Sequence, residues 1–252
     1  MSKDNFTNLF FSGTSGLALP FNKAQYPAEF QDKSRLQYYG SLCTSIEFNN
    51  TFYKLPKDAT IKNWAESVPE GFQFTFKVPK SITHSRELEF PLSDVTDFIK
   101  AVDHVGTKKG CLLAQFPPSF FIGQVEPFRK LLEIFKQETK ESSWKLAVEF
   151  RNPSWYESQV YLLLKSFNAA MVLQDMKSSA TQMTYSDNDV VYLRFHGPEP
   201  RYRGSYSDEF LKQHAKAIVN CIKEGKTVYA YFNNTMGAAF NNLQTLNEYV
   251  KG

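Results

Sequence analysis

Eight short apolar runs punctuate this chain, and they constrain its fold more than any other feature. They cover residues 9–12, 44–48, 72–78, 111–116, 145–150, 170–174, 190–195 and 227–232. Each is rich in β-branched or aromatic residues and largely apolar on both faces, the pattern of parallel strands covered on two sides. Between the runs, apolar residues recur at helical spacing. Phe128, Leu131, Leu132 and Phe135 follow the fourth run, and Trp155, Val160, Leu163, Leu164 and Phe167 the fifth. Phe210, Leu211, Ala215, Ile218, Val219 and Ile222 follow the seventh, behind a cap at Ser207. Pro27, Pro91 and Pro127 stand where helices begin.

Strand–helix alternation repeated eight times predicts an α/β domain, either a doubly wound open sheet or a closed barrel. Eight units in 252 residues favour a single (β/α)8 barrel of the TIM type spanning 1–252, since that fold takes ~250 residues. No Gly-x-Gly-x-x-Gly follows a strand run, which counts against a dinucleotide-binding sheet. The segment 176–189 reads mostly as loop, so the helix after the sixth strand is expected to be weak or missing. The longest loop is expected at 79–90, a length that is often functional.

The bulk numbers exclude some classes of function. With 29 basic and 26 acidic residues the net charge is +3, which gives no global field for nucleic acid or membrane. Cys43, Cys111 and Cys221 form no Cys-x-x-Cys pair and read as buried thiols in a reducing cytosol. The first nine residues lack the pattern of a signal peptide, and no segment approaches the ~20 apolar residues of a membrane span. The expectation is a cytoplasmic protein with no membrane partner. The 23 Phe and 13 Tyr read as a core packed with rings.

In a βα barrel the active site lies at the C-terminal strand ends. Each run here closes in polar residues: Ser15 after the first, Glu47 and Asn49, Lys77, Gln115, Glu149 and Arg151, Asp175, Arg194 and His196, and Asn233. The spacing of two in Glu47/Asn49, Glu149/Arg151 and Arg194/His196 puts each pair on one face of its strand. Charged side chains are rarely buried unless paired, so the pattern predicts either an ion-pair network or a shared polar pocket above the core. Lys77, Arg151 and Arg194 suit a phosphate or carboxylate. His196 is the foremost acid–base candidate, with Glu47, Glu149 and Asp175 as carboxylate partners. His84 lies in the long third loop, while His104 and His214 read as helix-surface residues. The loop around Tyr202, Arg203 and Tyr206 suits a base or sugar ring.

Three readings follow. The first is an enzyme acting on a small anionic molecule, with no cofactor, in which His196 or Glu149 moves a proton. The second is a metal-dependent phosphodiesterase acting on nucleic acid, with Glu149, Asp175 and His196 holding a divalent ion such as Mn, Zn or Mg. The third is a non-catalytic binder of a nucleotide or RNA that uses Tyr202, Arg203 and Tyr206. The sequence sets no oligomeric state.

Several motifs, in order from about Gly13 to Asn242, resemble one known family. They include Thr14-Ser15-Gly16, Glu47-Phe48-Asn49-Asn50-Thr51-Phe52-Tyr53 with Pro56, Phe74-Thr75-Phe76-Lys77 with Thr83-His84, and Gln115-Phe116-Pro117-Pro118. Glu149-Phe150-Arg151 with Ser154-Trp155, Arg194-Phe195-His196-Gly197 and Tyr231-Phe232-Asn233-Asn234 complete the series. Together they resemble the YecE-like family, also called domain of unknown function 72. The resemblance implies a TIM-type barrel and a shared site at Glu47, Lys77, Gln115, Glu149, Arg151, Arg194, His196 and Asn233, and it implies no assigned activity. Two positions depart from the family pattern. Leu17 stands where Trp is usual after Ser-Gly, and Met176-Lys177 stands where Pro often follows the sixth strand's Asp.

Overall fold

The computed structural model describes residues 8–181 and 188–252. Of the segments read above, residues 1–7 of the N-terminus and 182–187 of the 176–189 loop lie outside the described residues. Eight strands form one sheet: β1 (Phe10–Thr14), β2 (Ser45–Phe48), β3 (Gln73–Lys77), β4 (Lys109–Phe116), β5 (Lys145–Phe150), β6 (Ala169–Gln174), β7 (Val190–Phe195) and β8 (Thr227–Phe232). All pair in parallel, in the order β1-β8-β7-β6-β5-β4-β3-β2. The order leaves β1 and β2 as the two ends, and the bridge Ser15–Glu47 joins them. The molecule is a single (β/α)8 barrel.

The seam between β1 and β2 is stitched largely by side chains. Ser12 N–H donates to Thr44 Oγ1 (2.9 Å), and Gly16 N–H donates to Glu47 O (2.8 Å). The Tyr39 hydroxyl accepts from Thr14 N–H (2.7 Å) and donates to Ser45 O (3.2 Å), taking the place of ladder bonds. The two backbones approach so closely at Gly13 that a Cβ there would stand 2.0 Å from Ser45 O. Glycine is therefore required by contact, without any unusual φ.

Among the described residues the helices are α1 (Arg35–Leu42), α2 (Asp58–Glu66), α3 (Lys80–Thr83), α4 (Leu92–Val102), α5 (Val125–Glu138), α6 (Ser158–Ser166), α7 (Asp208–Lys223) and α8 (Ala239–Lys251). Ser207 caps α7 by accepting from Phe210 N–H, and Phe128, Leu131, Leu132 and Phe135 form the buried stripe of α5. Pro91 directly precedes α4, and Pro127 sits in the first turn of α5, where its missing N–H costs nothing. The described part of the segment between β6 and β7 carries no helix. The 79–90 loop is more ordered than its length suggests, since it holds α3 and a 3-10 turn at Arg86–Leu88. No helix among the described residues is long and apolar enough to cross a membrane.

Two apolar layers result. Outside the sheet, rings pack between strands and helices. Phe150 stacks on Trp155 at 4.3 Å, and Phe116, Phe120 and Phe128 surround that pair. Inside the barrel, Phe11, Leu113, Val172, Tyr192, Tyr229 and Tyr231 fill the lower layers. The period of two that sends Leu113 and Ala147 inward also sends Gln115 and Glu149 inward, one step nearer the C-terminal mouth.

Candidate active site

The polar strand ends meet in two tiers. The lower tier is Glu47, Arg194 and Glu149, each 2% exposed or less. Arg194 Nε donates to both oxygens of Glu47 (3.1 Å each), Nη2 donates to Glu47 Oε1 (2.8 Å), and Nη1 donates to Glu149 Oε2 (2.8 Å). Glu47 also accepts from the Ser15 hydroxyl and the Tyr192 hydroxyl, each at 2.6 Å. Burial alone would push both carboxyls up. The Arg194 charge and these hydrogen bonds outweigh it, so Glu47 lies below the ordinary carboxylate range, and Glu149, which also feels Arg151, lies well below it. Both carboxylates hold Arg194 above its own ordinary value against the opposing effect of burial.

The upper tier lies at the mouth and is less completely satisfied. Arg151 Nη2 stands 2.5 Å from Glu149 Oε1, and Nη1 contacts the Met176 sulfur. Arg151 Nε is buried with no hydrogen-bond partner, and Glu149 Oε1 accepts no well-directed bond. Lys77 Nζ donates to Gln115 Oε1 (2.8 Å) and sits 4.0 Å over the Phe52 ring. Gln115 is oriented by its own amide, which donates to Phe116 O (2.9 Å). Phe52 is set in place because the Thr51 hydroxyl donates to Lys77 O (2.6 Å), docking the turn after β2 onto the end of β3. Burial and the nearby Arg194 push Lys77 down to about 8, with Glu149 and Glu47 opposing.

His196 is buried between the tiers. Its Nε2 lies 3.4 Å from Glu149 Oε1, an acceptor, and 3.3 Å from Arg151 Nη2, a donor. Those two contacts suit opposite protonation states of that nitrogen. Nδ1 faces the Asn233 amide at 3.0 Å. Burial lowers the His196 pKa, and Glu149 partly restores it. The backbone at His196 is fixed from the side: its N–H donates to Asp175 Oδ1 (2.7 Å), Tyr206 donates to Asp175 Oδ2, and Gly197 N–H donates to the Tyr206 hydroxyl. Gly197 has φ +104°, and a Cβ there would meet Arg203 O at 2.4 Å, so glycine is needed for the loop to fold back.

Beside His196 lies a cleft of about 340 Å³, walled by Met176, Lys177, Pro198, Arg201 and Tyr202. Arg201 and Tyr202 both have φ near +60°, a backbone strain that holds the Tyr202 ring 5.7 Å from the imidazole.

Several expectations change in detail. Arg194 is expected to grip an anion; its guanidinium is ion-paired with two carboxylates and is buried beneath the mouth. Asp175, expected as a carboxylate partner of the His196 ring, instead accepts from the His196 backbone N–H and from the Tyr206 hydroxyl. The same engagement keeps Glu149, Asp175 and His196 from forming an open donor set, and no cluster of three metal-ligating side chains occurs among the described residues. Tyr206 is 7% exposed and stacks on Phe210 at 4.5 Å, so its ring is no platform for a ligand. His214 is likewise buried, stacked on Phe210, rather than on the helix surface. His84 packs edge-on against Phe52 and bonds Thr83 Oγ1. Asn49 lies at the mouth with Oδ1 buried and without a partner.

Tyr192 and Phe52 belong to the site without being singled out for it by the sequence. Tyr192 stands two residues before Arg194, so one more step of the same alternation finds it. No local signal brings Phe52 under Lys77.

A closed parallel barrel with a charged cluster at its C-terminal strand ends is the architecture of TIM-barrel proteins that carry a site at that rim. Residues 11–252 match the family described as "Protein of unknown function DUF72", and the chain belongs to that family. It is 26% identical over 255 residues to UPF0759 protein YunF of Bacillus subtilis (strain 168), covering 88% of each chain. UPF0759 protein YecE of Escherichia coli (strain K12) is 26% identical over 121 residues, 48% of this chain and 43% of YecE. Among solved structures, a DUF72 family protein from Thermotoga maritima superposes with a TM-score of 0.78 at 26% identity, covering 97% of this chain and 100% of that one. One from Enterococcus faecalis gives 0.80 at 22% identity with 96% of each chain covered.

Proposed function

We propose that this protein is an enzyme that binds a small phosphorylated or carboxylated molecule at the C-terminal strand ends. Lys77 and Arg151 seat the anion, and His196 moves a proton. The supporting observation is the unequal satisfaction of the two tiers. Within the cluster two carboxylates balance two guanidiniums, which leaves the Lys77 ammonium in excess. Arg151 Nε adds a buried donor without an acceptor. A buried donor left unpaired costs about 1–3 kcal/mol, and an anionic oxygen would relieve that cost.

Proton transfer fits His196 better than Glu149. The Glu149 carboxyl is held well below neutral pH by two guanidiniums, so it stays charged and orients the imidazole. His196 is held below its ordinary value, so it is neutral near pH 7 and able to accept a proton. Arg194 keeps both carboxylates ionised. Three buried cysteines, none paired with another, support a cytoplasmic setting.

Calorimetric titration with inorganic phosphate at low ionic strength tests the anion seat. Arg151→Ala and Lys77→Ala are each expected to weaken binding by about tenfold or more, the scale of a lost charge-assisted hydrogen bond. If both variants bind phosphate as tightly as the wild type, the proposal fails.

A further inference from the structure

Lys77 differs from its neighbouring cations in what it touches. Arg194 and Arg151 both contact carboxylates at 2.8 Å or less. Lys77 Nζ has no carboxylate among the described residues within ion-pair distance; its partners are the neutral Gln115 oxygen and the Phe52 ring. An ammonium has three N–H groups to place, and this pocket offers one oxygen and one ring face. With no carboxylate to hold its charge, the nitrogen can lose a proton and still donate one N–H to Gln115, which leaves its lone pair free. The Gln115 oxygen cannot turn away, since its amide is tied to Phe116 O. The residue stands at a strand end on the barrel rim, partly open to the mouth, with Arg151 on the same rim.

We infer that Lys77 is a nucleophile whose amine forms an imine with the aldehyde or ketone carbon of a small phosphorylated or carboxylated carbonyl compound. The inference rests on the anion seat proposed above, with Arg151 as the principal group binding the phosphate or carboxylate. The Nζ lone pair forms the C–N bond while the carbonyl π pair moves to oxygen, which takes a proton. The nitrogen releases one proton to give the carbinolamine, whose hydroxyl then takes a second proton and leaves as water while the nitrogen releases its remaining proton and the C=N bond forms. Nothing is oxidised or reduced, and the protons pass through His196 or water. The charged groups that act on Lys77 from the neighbouring strands are Arg194, Glu149, Glu47 and Arg151. From the following loop His84 faces it and is itself pushed down to about 4, by burial first and by Lys77 second. With Lys77 at about 8, roughly half its amine is free at pH 8, against about 0.3% for an ordinary lysine.

The test uses the whole protein and two aldehyde probes, pyridoxal 5′-phosphate and pyridoxal. Borohydride traps any imine as a secondary amine, and peptide mass spectrometry gives the labelling rate at each lysine at pH 8. Lys77 is expected to react about tenfold or more faster than any other lysine with pyridoxal 5′-phosphate. K77R removes the fast adduct, and R151A slows pyridoxal 5′-phosphate more than it slows pyridoxal, since loss of the neighbouring guanidinium acts on the amine equally with both probes. If K77R does not fold, the site-resolved rates in the wild type decide alone. If Lys77 reacts no faster than exposed lysines while inorganic phosphate still binds, the imine is overturned and the anion seat stands. If Lys77 reacts fast but equally with both probes, and phosphate does not bind, the anion seat is overturned and so is the substrate class inferred from it.

Discussion

The two tiers of the barrel top both gather charged strand-end side chains and behave in opposite ways. In the lower tier every charge of Arg194 and Glu47 meets a partner, and the group is sealed by Tyr192 and Ser15. In the upper tier Lys77 lacks an anion and Arg151 Nε lacks an acceptor. Buried charge that is fully paired specifies geometry, whereas buried charge that is incompletely paired is held at a cost to stability. Stability and ligand binding should therefore divide between the tiers.

The largest effect is expected in the lower tier. Arg194→Met leaves Glu47 buried without its countercharge and Glu149 with only Arg151, and this should destabilise the fold by about 3–5 kcal/mol, or about 10 °C in Tm. A melting curve unchanged within a degree or two would break the distinction between tiers. The opposite sign is expected above it. Lys77→Met removes a cation whose folded-state pKa lies near 8 against an ordinary 10.5, so the variant should gain about 2 kcal/mol near neutral pH while losing phosphate binding. The sign follows from linkage. A base with a lowered folded-state pKa carries its full penalty below pH 8, and the penalty disappears as pH rises toward 10.5. The gain should shrink across that interval, and denaturant melts at pH 7 and pH 10 measure it. Tyr206→Phe, between the tiers, removes the hydroxyl that joins Asp175 to Gly197. A loss of about 1–2 kcal/mol is expected, with phosphate affinity nearly unchanged. A large loss of affinity would move Tyr206 into the binding machinery.

Much of the barrel is legible in the sequence because its strands are covered on both faces and read as apolar runs. The runs at 145–150, 190–195 and 227–232 coincide with β5, β7 and β8. The membership of the candidate site is legible for the same reason, since the period of two carries Glu47, Glu149, Arg194 and His196 to one rim. What each residue does there is set by partners far away in the chain. Arg194 could not be separated from Lys77 as a candidate anion ligand, because its ion pairing depends on Glu47, 147 residues earlier. Tyr206 read as a loop ring, and only the fold brings Phe210 and Asp175 against it. The β1–β2 seam was equally hidden, because Tyr39, a helix residue, supplies hydrogen bonds that a ladder would otherwise make.

The most direct measurement is the ionisation of Lys77 itself, followed by NMR on protein carrying 13C at lysine Cε, with Lys77→Arg to assign the signal. One lysine should titrate near pH 8, vanish in the variant, and move to higher pH when inorganic phosphate is added. A Lys77 signal that titrates with the surface lysines near 10.5 and ignores phosphate would contradict the division of the barrel top into a satisfied tier and an unsatisfied one.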